Sequence, residues 1–406
     1  MQDYIRKFYS EFSDDEIKQL QIYLNKRFAD RKSASKVGVV FDVLHNCVLK
    51  CKGCGTNAIF LQDMNRVSCI PTLEQIDKIF IKLTEYSEQT GKKIFLNIGG
   101  GEPFLRQDII EILHLAAEYF GSENVGVDSN AVLKDAELFL SEAMQYVSYV
   151  GVSINGLKDY HNWWAGNNEI DAFTRSTTTV RNLCANPTFR KKIEVTSVAT
   201  KKNMDELPSL MHFLSDIGVR SYSVHRAIPV GRMALNRELI PNAKDYLYLL
   251  VSLINSANST GVDFHMHHSI ESIHAAILLG VDTYLWDHIG NPDAHSSIGI
   301  GPDCNVVFDP WCTSGCWKQL SAGNILTSSS SLDEMIRAED SVFQRTAKIT
   351  SLNNRCNGCK VLCSGGSRIV AATHVLCEQP YKLISTEDIY SAMQAVDPAC
   401  PLFDKD

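Results

Sequence analysis

The stretch VGVVFDVLHNCVLKCKGC, residues 37–54, decides how the chain is read. Its first half is rich in β-branched and aromatic residues and predicts a strand near 38–45, of the kind buried on both faces. Its second half sets Cys47, Cys51 and Cys54 in a C-x3-C-x2-C spacing on the loop that follows. Three thiolates on one short loop suit iron–sulfur chemistry and leave a fourth iron open to a small chelating molecule. Zinc is the competing occupant, but it takes four protein ligands, or three and a water.

Working outward, strand-like and helix-like stretches alternate. Further strands are predicted at 93–98, 124–128, 148–154, 192–199 and 220–226. Helices are predicted at 73–90, opened by Thr72 with Gln75 and closed by Gly91, at 106–120 closed by Gly121, and at 204–217 closed by Gly218. Such alternation implies a parallel sheet with right-handed crossovers. Six units are visible before the pattern changes. The expected fold is therefore α/β, a partial (β/α)6 TIM-like barrel open on one side, followed by a small Cys-rich domain. The expected division is 1–36, a helix and linker; 37–235, the barrel; 236–300, a bridging segment with a helix at 242–259 and a strand at 261–267; and 301–406, the Cys-rich part. In the first of these, Ser13 and Glu16 form a capping box, and Phe12 and Ile17 its hydrophobic staple. Residues 30–35 (DRKSAS) read as a tether.

Composition narrows the class. The chain has 406 residues, 45% hydrophobic and 21% charged, enough to bury a sizeable core. Its net charge is −8 and no basic stripe stands out, which excludes a dedicated nucleic-acid binder. No apolar run approaches bilayer length, and residues 1–15 (MQDYIRKFYSEFSDD) lack a signal-peptide core, so a cytoplasmic location is expected. The 13 cysteines are unevenly placed: three at 47–54, eight at 304–400, and only Cys69 and Cys184 alone. Clusters of this kind in a chain without an export signal point to metal rather than disulfides.

A second motif follows the second strand: Gly99, Gly100, Gly101, Glu102 and Pro103 (GGGEP). Glycines let the backbone approach a ligand, and a carboxylate attracts a cation. With the cysteine loop, this motif resembles the radical S-adenosylmethionine (radical SAM) superfamily, over about residues 36–232. The resemblance implies that Cys47, Cys51 and Cys54 hold a [4Fe–4S] cluster, and that Gly100, Gly101 and Glu102 receive the amino group of SAM. It extends to later strand ends. DSNA (128–131) is similar to the family's turn after the third strand, with Ser129 and Asn130 available to the ligand. VSING (152–156) with His161 is similar to the stretch after the fourth, with Ser153 near the SAM carboxylate or ribose and Asn155 where Asp is commoner. The sixth strand runs into IPVGR (228–232), again similar to many members. Each of these residues could equally be a turn-former. Where the family often has an aromatic residue before the third cysteine, this chain has Gly53, so adenine contacts must come from elsewhere.

Cys304, Cys312 and Cys316, then GNI (323–325), then Cys356, Cys359 and Cys363 (CNGCKVLC), a GG pair at 365–366, and Cys377 and Cys400 resemble the SPASM extension of radical SAM maturases. The resemblance implies two auxiliary [4Fe–4S] clusters; a pair of zinc knuckles is the alternative. It also implies the activity: SAM is cleaved to a 5′-deoxyadenosyl radical, which takes hydrogen from a peptide side chain to install a crosslink in a ribosomally made precursor. The implied partners are that peptide, a one-electron reductant such as a flavodoxin or ferredoxin, and a separate leader-binding protein, because 36 residues ahead of the barrel are too few for a leader-binding domain. Nucleic acid and membrane are not among them. A sulfatase-type maturase, a small-molecule epimerase or oxidase, and a non-catalytic iron–sulfur or zinc module remain open. His265, His267 and His268 read as packing or substrate contacts, Cys69 and Cys184 as buried apolar residues, and Trp163 and Trp164 as packing.

Overall fold

The computed structural model describes residues 2–28, 36–61, 70–266, 270–281, 283, 297–313, 315–352, 368–376 and 384–401. Twelve strands are formed among them: β1 Lys36–Leu44, β2 Asn46–Cys47, β3 Ile59–Phe60, β4 Lys93–Gly100, β5 Val125–Ser129, β6 Tyr149–Ser153, β7 Ile193–Ala199, β8 Ser221–Arg226, β9 Asp263–Met266, β10 Ser297–Ile300, β11 Asn305–Val307 and β12 Ser321–Asn324. Ten make one sheet in the order β12-β11-β10-β1-β4-β5-β6-β7-β8-β9, and β2 pairs with β3 apart from it. From β10 to β9 all neighbours are parallel, while β11 and β12 turn antiparallel. The sheet is a TIM-like partial barrel. Among the described residues its edge strands β9 and β12 do not pair, so it stays open on one side.

The six expected strands are all present, and helices between them return the chain for the next parallel step. Helix Leu73–Thr90 starts at Thr72 with a reciprocal capping box to Gln75 and stops at Gly91, whose φ of 67° favours glycine. Its stripe of Ile76, Ile79, Phe80 and Leu83 is fully buried against the sheet. Helices Ile109–Phe120 and Leu207–Asp216 start a turn later than their apolar pattern suggests. The stretch 236–300 is more than a bridge. It supplies β9 beyond β8 and β10 beyond β1, both parallel, so the sheet gains a strand at each end. Short strands of four residues carry little periodic signal, which is why the sequence pattern stops at six units.

The N-terminal region holds two helices, not one. Gln2–Tyr9 precedes Asp14–Phe28, and Ser13 caps the second through Glu16. Leu20 and Leu24 are buried, worth about 2 kcal/mol each against exposure. Cys184 is buried in the main core, as expected, whereas Cys69, His267 and His268 lie outside the described residues.

The C-terminal stretch is bound to the barrel by two buried polar ties. Thr313 Oγ1 donates to Asp42 Oδ2 of β1 at 2.7 Å. Arg226, the last residue of β8, holds Asp397 with Nη1 at 2.9 and 3.0 Å from its two oxygens, both side chains being shielded from water. Asp397 also accepts from the Ala399 amide, and its own carbonyl accepts from the Cys400 amide. An ion pair removed from water loses far more when one partner goes than when both do. Asp397→Ala should therefore lower stability by about 3–5 kcal/mol in denaturant titrations, and Arg226→Met with Asp397→Leu by much less.

Candidate active site at the cysteine loop

Between Leu44 and Ile59 the chain has almost no regular structure, so its carbonyls need donors from elsewhere. Two segments supply them, and a third accepts from the loop's own amides. The first is the GGGEP turn at the end of β4. The amides of Gly101 and Glu102 donate to the carbonyls of Leu44 and Asn46, both at 2.9 Å. This approach requires glycine: a Cβ at Gly100 would lie 2.2 Å from the Leu44 oxygen, and one at Gly101 would lie 2.1 Å from the Asn46 oxygen.

The second segment is IPVGR after β8. The Arg232 amide donates to the Cys54 carbonyl at 3.0 Å. Its guanidinium reaches the carbonyls of Cys51 and Ala58, both at 2.7 Å. Gly231, at φ 54°, lets this happen, since a Cβ there would be 2.3 Å from the Cys54 oxygen. The third segment is the end of helix Lys158–Ala165, whose Trp164 and Ala165 carbonyls accept from the Lys52 and Lys50 amides at 2.9 Å each. IPVGR carries a family similarity in the sequence but no task there; one glycine and an arginine set against loop carbonyls leave no periodic trace.

The sulfurs are placed as acceptors. Cys47 Sγ accepts from the Leu49 amide at 3.4 Å and from Asn130 Nδ2 at 3.6 Å. Cys54 Sγ accepts from the Ala58 amide at 3.3 Å. As free thiols they resist ionisation: desolvation first, and the neighbouring sulfurs next, push Cys51 up to about 12 and Cys47 well above the ordinary thiol range, while Arg232 pulls Cys51 back. A bound cation would reverse that balance. Among the described residues no three Cys, His, Asp or Glu side chains converge on a single ion. A four-iron cubane has no such need, because each cysteine ligates a different iron.

Glu102 is fully buried, and its carboxylate is turned into the protein. It accepts from Ser129 Oγ at 2.9 Å, the Asn130 amide at 2.8 Å and the Phe104 amide at 3.3 Å. Burial raises it to about 7 against these donors. It thus ties the ends of β4 and β5 together. Ser129 and Asn130 are turn-formers too, accepting from the Ala131 and Val132 amides around the positive φ of Ala131. In VSING, Asn155 Oδ1 accepts from the Val198 amide and so joins the end of β6 to β7, while His161 Nδ1 accepts from the Asn155 amide and ties that turn to helix Lys158–Ala165. Ser153 differs: its hydroxyl is half-buried and has no hydrogen-bond partner among the described residues.

The aromatic neighbour that the sequence lacks at residue 53 arrives from another element. The Trp164 ring lies 2.2 Å from where a Cβ of Gly53 would stand, with Met233 beside it at 2.6 Å. Trp311, next to Cys312, lies in the same way over Gly55. Of the C-terminal cysteines, Cys304 and Cys312 are buried and Cys400 half-buried. Cys316 belongs to the short helix Gly315–Gln319, and Cys356, Cys359, Cys363 and Cys377 lie outside the described residues.

Beneath the loop the barrel interior is polar. Asp42, Asp128 and Glu194 stand on the inner face of β1, β5 and β7, with Gly99 and Gly151 making room between them. Asn97 donates to Asp128 at 2.7 Å, Ser221 to Glu194 at 2.7 Å, and His265 Nε2 lies 3.9 Å from Glu194. Burial raises Asp42 and Glu194 to about 7 and Asp128 to about 6.

Residues 42–214 match the model of the Radical SAM superfamily, and this part of the chain is a radical SAM domain. The chain is accordingly an enzyme whose cofactors are S-adenosylmethionine and a [4Fe–4S] cluster; the three-sulfur donor set and the glycine cradle beside it fit that pair. Fe-coproporphyrin III synthase of Methanosarcina barkeri is 23% identical over 415 residues, spanning 95% of this chain and 92% of that protein. Among solved structures, native anSMEcpe with bound AdoMet is similar with a TM-score of 0.64 at 17% identity, over 91% of this chain and 95% of that one. Streptococcus suis SuiB bound to S-adenosylmethionine gives 0.61 at 16% identity, over 82% and 73%. SuiB bound to its precursor peptide SuiA gives 0.61 at 15%, over 90% and 78%. These likenesses show the same partial-barrel fold. Among the described residues no helix is long and apolar enough to cross a membrane.

Two outcomes follow from this geometry. Glu102→Ala strands three buried donors at once and should lower the melting temperature of the metal-free protein, by about 2–4 kcal/mol of stability; an unchanged melting temperature would show the carboxylate to be free of that task. Glu194 sits near 7 in the fold against an ordinary 4.5. Between those values the folded state holds a proton that the unfolded chain has lost, so this residue's contribution to stability falls as pH rises through the window. The stability of Glu194→Gln relative to the parent should therefore rise from pH 5 to pH 8 by calorimetry, and a constant difference would contradict it.

Proposed function

We propose that this enzyme removes hydrogen from a side chain of a ribosomally made peptide and installs a crosslink there. The observation that carries the reading is the Cys47–Cys54 loop, clamped at its carbonyls by the GGGEP turn and Arg232 and at its amides by the Trp164 end of helix Lys158–Ala165. When bound, the cofactor pair supplies a 5′-deoxyadenosyl radical, strong enough to take hydrogen from an unactivated carbon. Cys47, Cys51 and Cys54 are the proposed cluster ligands. Gly100 and Gly101 give SAM an approach to bare backbone, Ser153 offers it a hydroxyl, and Asn130 steadies Cys47. Glu102, with Ser129, acts on SAM by fixing the turn.

A crosslink removes two hydrogens. One goes to the radical; the other leaves as a proton and an electron. Cys304, Cys312, Cys316, Cys356, Cys359, Cys363, Cys377 and Cys400 are the proposed ligands of auxiliary clusters that accept this electron. The ties from Asp42 and Arg226 to the C-terminal stretch support that role, since they hold it against barrel strands. A peptide substrate is supported by two structures of similar fold that contain one, SuiB with SuiA and anSMEcpe with the Cp18Cys peptide. A separate leader-binding protein and an external one-electron reductant complete the proposal. The near full-length match to Fe-coproporphyrin III synthase favours a second reading, action on a tetrapyrrole side chain.

Protein purified without oxygen should hold about 12 iron per chain, the content of three cubanes. Joint replacement of Cys47, Cys51 and Cys54 by Ala should remove about a third of it. With dithionite and SAM, mass spectrometry should find a precursor peptide lighter by two hydrogens per turnover. Modification of an iron tetrapyrrole and no peptide would decide for the second reading, and colourless zinc protein would overturn both.

A further inference from the structure

The radical SAM reading of the loop requires an electron from outside, and one face of the loop meets solvent beside a basic patch. Helix Lys158–Ala165 ends there with two consecutive indoles that part company. Trp164, 2% exposed, turns inward over Gly53 and packs with Cys51. Trp163 is half-buried and lies between two ammonium groups: Lys202 Nζ is 3.6 Å from its ring centroid and Lys52 Nζ 5.2 Å. Lys50, on the same stretch of loop, has its ammonium 6.0 Å from the Phe60 ring. Lys50 and Lys202 are exposed. None of these three lysines has a carboxylate partner among the described residues, although Lys158 on the same helix is paired with Asp171.

Two unpaired cations at one indole, with a third on the same stretch of loop, are unusual in a chain of net charge −8. Cation–π contact holds two of them in place without neutralising them. The patch therefore keeps a local positive field on an acidic molecule, and it keeps it on the loop that carries Cys51 and Cys54. Such a field selects a partner of opposite sign and speeds its encounter.

We propose that Trp163, with Lys50, Lys52 and Lys202, is the docking face for an acidic one-electron carrier protein. Trp163 gives the contact an apolar centre and the lysines a charged rim. A carrier with an anionic flavin hydroquinone would give up one electron to the cluster that Cys47, Cys51 and Cys54 would hold and become the neutral semiquinone, with no proton moved. The proposal rests on the cysteine loop holding the cluster.

The test uses the reconstituted enzyme and an acidic flavodoxin. Calorimetric titration at low salt should give a complex that weakens steeply as salt is added. Lys202→Glu should raise the Kd at least about threefold. Flavodoxin-fed formation of 5′-deoxyadenosine should fall with it, while dithionite-fed formation stays at the parent level. Lys50 and Lys52 lie inside the cysteine loop and are left unchanged, and Trp163→Ala serves as the uncharged second variant, expected to weaken binding at all salt concentrations. An unchanged Kd in Lys202→Glu would overturn the proposal. So would a variant that keeps flavodoxin affinity and loses affinity for a peptide substrate, which would assign the patch to an acidic peptide. Failure of the unsubstituted enzyme with dithionite would count against the cluster site itself, and the binding titration would still decide the docking face.

Discussion

Everything at the site depends on the satisfaction of loop carbonyls by distant backbone and side-chain donors. A segment that presents three thiols to a cluster cannot also spend its backbone on a helix or a long strand. Its carbonyls must still be bonded, because buried and unpaired they are costly. Here the donors are the Gly101 and Glu102 amides, the Arg232 guanidinium and amide, and the Asn167 and Asn236 side chains. Each lies far away in sequence. The parallel sheet makes this feasible, since it delivers all of its strand ends to one rim.

Much of this was legible in advance, and the reason differs from part to part. Thr72 with Gln75, and Gly91, bracket a helix through local chemistry, so its ends could be read directly. β4 to β8 are flanked by helices of clear amphipathic pattern. β9, which falls within the strand expected at 261–267, and β10 have four residues each, and only their pairing beyond β8 and β1 makes them part of the sheet. The cysteine spacing and GGGEP announce a site because both are contiguous. The clamp by Arg232 and the filling of the Gly53 gap by Trp164 were invisible, since each joins residues more than 100 positions apart that share no spacing rule.

The same distinction explains the fate of particular side chains. Glu102 reads as a carboxylate waiting for a cation, yet it is enclosed by its own turn and by the turn after β5. Burial leaves it three donors and no open face. Motif reading locates such a residue correctly and says little about which way it looks. Ser153 is the opposite case, an ordinary serine by sequence whose unused hydroxyl only the fold reveals.

The dispersal of the clamp has a consequence for biogenesis. The loop is made before its clamp, since Arg232 and Trp311 follow it by some 180 and 260 positions. Until β8 has added to the sheet, the peptide bearing the thiols has no defined shape to offer. Metal delivery must then wait for a nearly finished barrel, in contrast to a zinc knuckle, where the ion itself organises a few nearby residues. A scaffold that donates iron and sulfide would meet a completed protein, and thiols exposed on the ribosome would pass that interval unprotected from oxygen.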